Sequence, residues 1–312
     1  MFNGKNLNIM SATVLITGGT GMIGTRLTHL LQEKGYTVIH LSRSVSGNEP
    51  VKTYQWNIKE QTIDPEALIQ TDYVIHLAGA GIADKRWTDQ RKEAIIRSRT
   101  ESARLIQRSI ANLGSHSIKA FISASGMSYY GIDTGDAWVN EDSPMGDGFA
   151  AEVVRQWENA ADEMSRLNLR VVKFRIGVVL SEKGGALPRL TQPIKLGAGA
   201  PLGRGGQYMS WIHLDDVCRL FIFAIKHENM QGVYNAVGPH PVTNQELTKA
   251  AADVLNRPLF LPNVPSFVLK LLFGEMAQVV LGGSRVSNHK IREAGFEFEH
   301  PALHPALADL LT

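Results

Sequence analysis

The sequence predicts an α/β fold: a doubly wound parallel sheet followed by a smaller C-terminal α/β lobe. Three observations predict it. Short apolar runs alternate with amphipathic stretches through the first 180 residues. A glycine-rich turn directly follows the first run. Beyond Leu180 the chain turns rich in glycine and proline, and the alternation is lost.

Val14, Leu15 and Ile16 read as a buried parallel strand, and Gly19-Thr20-Gly21-Met22-Ile23-Gly24 after them fits G-x-G-x-x-G. A helix over residues 22–34 ends at Gly35, a good C-terminal cap. Residues 36–41 form the second strand and 54–56 a short third. A short helix at 65–70 precedes the fourth strand at 72–77. That strand runs into Ala78-Gly79-Ala80-Gly81, small residues that leave room for a ligand at the carboxyl edge of the sheet. A long helix over 88–112, a fifth strand at 120–123, a helix over 153–166 and a sixth strand at 170–176 complete the pattern.

Residues 181–210 carry ten glycines and prolines spaced to bend over a sheet edge as a lid. Residues 211–226 read as strand then helix, and 232–237 as a strand. Asn244 is placed to cap the next helix. Pro258, Pro262 and Pro265 punctuate the entry to an apolar stretch at 267–281. The expected division is 12–180 for the first domain, its sheet completed by parts of 211–238, then 181–256 for lid and substrate-side segments, and 257–312 for a C-terminal lobe.

The first turn points to a dinucleotide. Bare backbone N–H groups at a helix N-terminus suit a pyrophosphate. An NAD site usually ends its second strand with a carboxylate for the ribose 2′-hydroxyl. Here that place is Ser42-Arg43-Ser44. A guanidinium suits a 2′-phosphate, so NADP(H) is expected over NAD(H).

Composition excludes other classes. Net charge is +2, and no Lys/Arg run is interleaved with aromatics, which argues against nucleic acid. Cys218 stands alone, so no intramolecular disulfide forms. No apolar run is long enough to span a membrane. Residues 1–9 lack a signal-peptide core and read as a disordered arm, with Met10 as an alternative start. A cytoplasmic location is the default expectation. The histidines show no metal-ligand spacing.

These residues resemble the extended short-chain dehydrogenase/reductases, whose fold is Rossmann-type. The resemblance rests on Thr17-Gly18-x-x-Gly21-x-x-Gly24, the Leu77-Ala78-Gly79 turn, and Ser123-Ala124-Ser125 followed by Tyr130-Gly131. It sharpens to the nucleoside-diphosphate-sugar epimerase-like family with an added C-terminal domain of unknown function. Ser98-Arg99, Glu141-Asp142-Ser143-Pro144, Trp157-Glu158, Trp211-Ile-His213-Leu-Asp215-Asp216 and Gly274-Glu-Met-Ala277 carry that match, which runs from Ala12 to Leu311. The resemblance implies Gly18, Thr20, Gly21, Met22, Ile23 and Gly24 at the pyrophosphate and Ser42 and Arg43 at the 2′-phosphate. It implies Leu77, Ala78 and Gly79 near the adenosine, Arg99 reaching the cofactor, and Val179 beside the nicotinamide. Asn57 stands where many relatives place an adenine-side Asp.

Ordinary relatives use Tyr-x-x-x-Lys for proton transfer. The corresponding stretch here is Phe149-Ala150-Ala151-Glu152-Val153, and the motif occurs nowhere else in the chain. Ser125 and Tyr129 are therefore the leading catalytic candidates, with Tyr130 and Glu152 as others. The reading is an NADP(H)-binding, epimerase-like oxidoreductase acting on a small molecule of unknown identity. Its alternative is a catalytically weak or inactive NADP(H)-binding regulatory or scaffold protein. A homodimer through the helices holding Arg99 and Trp157 is expected from the resemblance. Trp87, Trp157 and Trp211 are candidates to line the pocket, and Arg189, Lys195 and Arg204 to bind an anionic substrate. His213 and Asp215 read as structural, with Asp215 as a helix cap.

Overall fold

The computed structural model describes residues 12–312, so the arm expected over residues 1–9, and Met10, lie outside the described residues. β1 (Thr13–Thr17) leads through α1 (Met22–Glu33) to β2 (Thr37–Ser42), which pairs with β1 in parallel. β3 (Thr53–Asn57) adds beside β2, and the short β4 (Thr62–Ile63) folds back antiparallel at the edge. α2 (Pro65–Ile69) then returns the chain to the other side of β1, where β5 (Tyr73–His76) pairs. α3 (Asp89–Asn112) connects to β6 (Ala120–Gly126). After the detached β7 (Trp138–Val139), α4 (Phe149–Asp162) leads to β8 (Arg170–Ile176) beside β6.

The chain next forms β9 (Val178–Leu180), α5 (Ala186–Lys195), β10 (Tyr208–Met209), β11 (Trp211–His213) and α6 (Leu214–Lys226). β12 (Gly232–Ala236) closes the main sheet, whose order is β12-β8-β6-β5-β1-β2-β3-β4. The direction of winding reverses between β1 and β5, the switch point where such sheets open a crevice at their carboxyl ends.

The core has two faces because strand side chains alternate. Val14 and Ile16 pack with Leu27, Leu31 and Phe221 under α1 and α6. Leu15, Val74 and Phe121 pack with Leu105, Ile106 and Ala160 under α3 and α4.

Local structure departs from expectation at three places. α4 starts at Phe149 rather than at 153, and its last expected turn, Glu163–Leu167, is a 3-10 helix. The glycine- and proline-rich segment expected as a lid contains a ten-residue helix, α5. Pro188 sits in its first turn, where the missing N–H has no partner to lose. The cap of α7 (Asn244–Val254) is Thr243, not Asn244: Thr243 and Glu246 bond reciprocally as a capping box. Asn244 Oδ1 instead accepts from the Leu202 N–H at 2.7 Å.

After β13 (Val242–Thr243), the C-terminal segments are α8 (Ser266–Phe273), α9 (Ala277–Leu281), β14 (Arg285–Val286), α10 (His289–Glu293) and α11 (Leu303–Leu311). Two strong ties bind them to the sheet domain. The fully buried Asp216 carboxylate accepts from the backbone N–H groups of Glu299 and His300, at 2.8 and 3.0 Å. β14 pairs in parallel with β7. No helix among the described residues is long and apolar enough to cross a membrane.

Candidate functional site

A groove of about 1020 Å³ opens over the switch point. Gly18, Thr20, Gly21, Ser42, Arg43, Leu77, Ala78 and Gly79 line it. These residues come from the ends of three neighbouring strands, which is why contiguous motifs far apart in sequence converge.

Its centre is the loop after β1. Gly18 has φ +72° and its α-carbon faces the Leu77 backbone, where a side chain would collide. Gly24 has ordinary dihedrals but lies against the loop: a Cβ there would stand 2.3 Å from the Gly18 carbonyl oxygen. Gly21 caps α1 without a side chain, and the first turn holds no acidic residue. Its N–H groups and dipole thus face the groove uncompensated. Met22, Ile23 and Val179 do not line the groove; they pack on the adjoining core.

Thr17 ties this loop to the β5 turn. Its hydroxyl accepts from the N–H groups of Leu77 and Ala78, both at 3.2 Å, and so donates to His76 Nδ1 at 2.8 Å. His76 Nε2–H then donates to Ser102 at 3.1 Å, whose own proton goes to the Ser98 carbonyl. His76 is fully buried, and desolvation lowers its pKa to about 4.

At the far end of β2, the Arg43 side chain is exposed and forms no hydrogen bond with the protein. Sequence reading missed Glu49, which shares this wall. Its carboxylate accepts from Ser46 N at 2.5 Å, Ser46 Oγ at 3.0 Å and Gly47 N at 3.0 Å, and these bonds depress its pKa. Its turn is local, but nothing in the sequence shows that the turn folds toward Arg43. Asn57 is a correction. Trp56 and Ile58 line the groove there, while Asn57 Oδ1 accepts from Lys59 N and Glu60 N to close a turn.

Arg99 lies behind Gly79 rather than in the groove. It donates to the carbonyls of Ala80 and Ile95 at 2.9 and 3.0 Å, and its guanidinium lies 4.9 Å from the Trp157 ring centre. Nε has no partner, and no carboxylate balances the charge. Burial and repulsion from Arg91 lower its pKa to about 10, so it stays charged at neutral pH and projects positive potential through the wall.

The catalytic candidates meet in one buried network. Ser125 Oγ donates to Glu158 Oε1 at 2.6 Å. Arg175 clamps both oxygens of Glu158, Nε at 2.8 Å and the second fork nitrogen at 2.9 Å. The Arg175 guanidinium also lies 3.4 Å from the centre of the Tyr129 ring and donates to the Tyr130 hydroxyl at 3.1 Å. Tyr130 in turn donates to Asn235 Oδ1 at 2.7 Å, and desolvation raises its pKa to about 12. Ser125, Arg175 and Asn235 are register partners on β6, β8 and β12, so one row crosses the sheet. Ser125 has its proton committed to Glu158, whereas the Tyr129 hydroxyl is unbonded among the described residues.

Other expectations fall away. Phe149 packs edge-on against Trp87, 4.8 Å between ring centres, in a cluster with Met276 of the C-terminal segment. Trp87, Trp157 and Trp211 are buried in the core. Glu152 pairs with Arg155 at the surface. Arg189 bonds the Ala83 carbonyl and Arg204 pairs with Asp133, so they do not converge with Lys195. His213, not Asp215, caps α6; its Nδ1 accepts from Asp215 N, while Asp215 pairs bidentately with Arg26 at 2.7 Å. His213, His300 and Asp309 lie within 4.8 Å of one another. Because His213 Nδ1 accepts the hydrogen bond from Asp215 N–H, the proton of the neutral ring sits on Nε2, which then has no lone pair for a metal.

The sheet, loop and groove define a dinucleotide-binding α/β protein. The family model "NAD dependent epimerase/dehydratase family" matches residues 14–237, and the "Domain of unknown function (DUF1731)" model matches 264–310. An epimerase family protein of Mycobacterium bovis is 38% identical over 298 residues, covering 95% of this chain and 97% of that protein. The mouse epimerase family protein SDR39U1 is 34% identical over 302 residues, covering 96% and 99%. The crystal structure of human SDR39U1 (isoform 2) with NADPH superposes at TM-score 0.84 with 32% identity, covering 96% of this chain and 98% of that one. The chain belongs to the NAD-dependent epimerase/dehydratase family.

Proposed function

We propose that the chain is an NADP(H)-dependent, epimerase-like oxidoreductase acting on a small polar substrate. One observation carries the cofactor: an exposed guanidinium without a protein partner, Arg43, stands at the end of β2 in a groove whose helix N-terminus holds no acid. The human relative crystallised with NADPH supports this reading. On this reading, the α1 N-terminus of this chain would hold the pyrophosphate and Ser42 and Arg43 the 2′-phosphate, with Arg99 adding charge from behind Gly79.

When bound, the reduced nicotinamide supplies a hydride. The chain supplies proton handling. Ser125 presents only lone pairs, because Glu158 takes its hydrogen. It therefore accepts from a substrate O–H rather than donating to a carbonyl. Tyr129 keeps a free phenol, with the Arg175 guanidinium stacked 3.4 Å from the centre of its ring to hold it in place. Tyr129 is the proton-transfer group in this reading, and Ser125 positions the substrate.

Calorimetric titration tests the cofactor. NADPH should bind wild type more tightly than NADH does. Arg43→Ala should weaken NADPH by about ten- to a hundredfold and leave NADH unchanged. Glu49→Gln should strengthen NADPH a few-fold at low salt. Equal or tighter NADH binding, unchanged by Arg43→Ala, refutes the assignment. NADPH oxidation against a broad carbonyl panel then tests the reaction. Tight binding without turnover, unaltered by Tyr129→Phe, favours the inactive binding protein.

A further inference from the structure

The C-terminal segment presents an apolar face that nothing among the described residues covers. On α8, Phe267 and Leu271 are one turn apart and 71% and 75% exposed, opposite the buried Leu269. Leu272 beside them is exposed, as are Phe260 and Leu261 in the preceding loop. Exposed aromatic and leucine side chains clustered in such number are unusual on a soluble surface and mark a contact.

Unpaired charge on this face has one sign. Residues 254–274 contain no Asp or Glu. Lys270 lies on the exposed stripe between Phe267 and Leu271, and its ammonium has no partner; nor has the guanidinium of Arg257. Arg86 adds a third cation by holding the α8 carboxyl end, donating to the carbonyls of Leu271 and Leu272 at 2.6 and 2.7 Å. Of the acids around this face, Glu275 and Asp133 share a pocket with Lys270 but are held by Lys92 at 2.7 Å and Arg204 at 3.1 Å, and Asp84, two residues before Arg86, faces Arg91 at 3.8 Å. Asp253 lies back on α7.

We propose that α8 and the 257–261 loop dock this protein on an anionic lipid surface. Protruding apolar side chains interleaved with unpaired cations are what an interfacial helix needs: the rings and leucines enter the acyl boundary, and the cations meet headgroup phosphates. A second copy fits less well. Pairing this face with itself gathers unpaired cations from both copies, while the carboxylates beside Lys270, Asp133 and Glu275, are already held by Arg204 and Lys92. A single two-turn helix makes the attachment weak and reversible. Because Arg86 belongs to the loop whose Ala80, Gly81 and Asp84 line the groove, docking brings the groove mouth toward the membrane.

Vesicle cosedimentation of the full chain tests this. Phosphatidylcholine vesicles with about one-third phosphatidylglycerol should sediment the protein, and pure phosphatidylcholine should not. Binding should fall as salt rises. Phe267→Ser/Leu271→Ser should abolish it. Lys270→Glu and Arg257→Glu should each weaken it by about fivefold or more. NADPH affinity, measured in parallel, should stay at the wild-type value in all variants, which shows that they fold. The proposal is overturned by equal binding, or none, to both vesicle types, or by variants that bind like wild type. It is also overturned if the protein ignores vesicles and forms a dimer that Phe267→Ser/Leu271→Ser dissociates.

Discussion

Ser125 and Glu158 share a 2.6 Å hydrogen bond in which the serine is the donor, across a sequence separation of 33 residues. The bond decides what the serine can do, because the Glu158 carboxylate, gripped at both oxygens by the Arg175 fork, takes the serine hydrogen as well. It also ranks the stability of the cluster. Glu158→Ala strands a buried guanidinium and should cost about 3–5 kcal/mol in urea unfolding. Ser125→Ala removes one bond and should cost about 1 kcal/mol. Replacing both partners, Glu158→Leu with Arg175→Met, should recover most of the loss. A Glu158→Ala protein as stable as wild type would show that the pair is not closed in solution.

Gly24 and Gly184 differ in what surrounds their α-carbons. A methyl group at 24 meets the Gly18 carbonyl oxygen at 2.3 Å, while one at 184 meets only Met22 Sδ at 3.5 Å. Gly24→Ala should therefore pry the loop from α1, lower Tm and weaken NADPH by about tenfold or more, some 1.4 kcal/mol or greater. Gly184→Ala should bind NADPH like wild type. Equal affinities for the two variants would remove the loop from the pyrophosphate site.

His76 makes the fold sensitive to acid. Its folded pKa, about 4, lies below the ordinary 6.5, so the unfolded chain binds the proton first. The contribution is fully present above pH 6.5 and is lost as pH falls from there to about 4. Its size is about 3 kcal/mol. Unfolding free energies measured over that range should fall less steeply for His76→Gln than for wild type, whatever the variant's stability at neutral pH. Parallel slopes would place the ring in water or make it charged in the native state.

What could be read in the sequence was whatever a few adjacent residues encode. The loop after β1, the absence of a carboxylate at Ser42-Arg43-Ser44, and the absence of any Tyr-x-x-x-Lys are all visible in stretches of under a dozen residues. Helix caps were less legible. Asn244 and Asp215 are good capping residues by type, yet Thr243 and His213 hold those positions, because Glu246 completes a box with Thr243 and Arg26 draws Asp215 away. Glu49 and Trp56 escaped notice because a turn's direction relative to the sheet is not written in the turn.

The sequence by itself determined the tight glycine loop after β1, since close backbone approach demands glycine at fixed spacing after a buried strand, and each requirement is local. Tertiary structure alone decided which hydroxyl is free. Ser125, Glu158, Arg175 and Tyr129 come from separate elements, and only sheet register and the packing of α4 bring them within hydrogen-bond and ring-contact distance. Proton ownership in such a cluster depends on distances between parts of the chain that no local pattern relates.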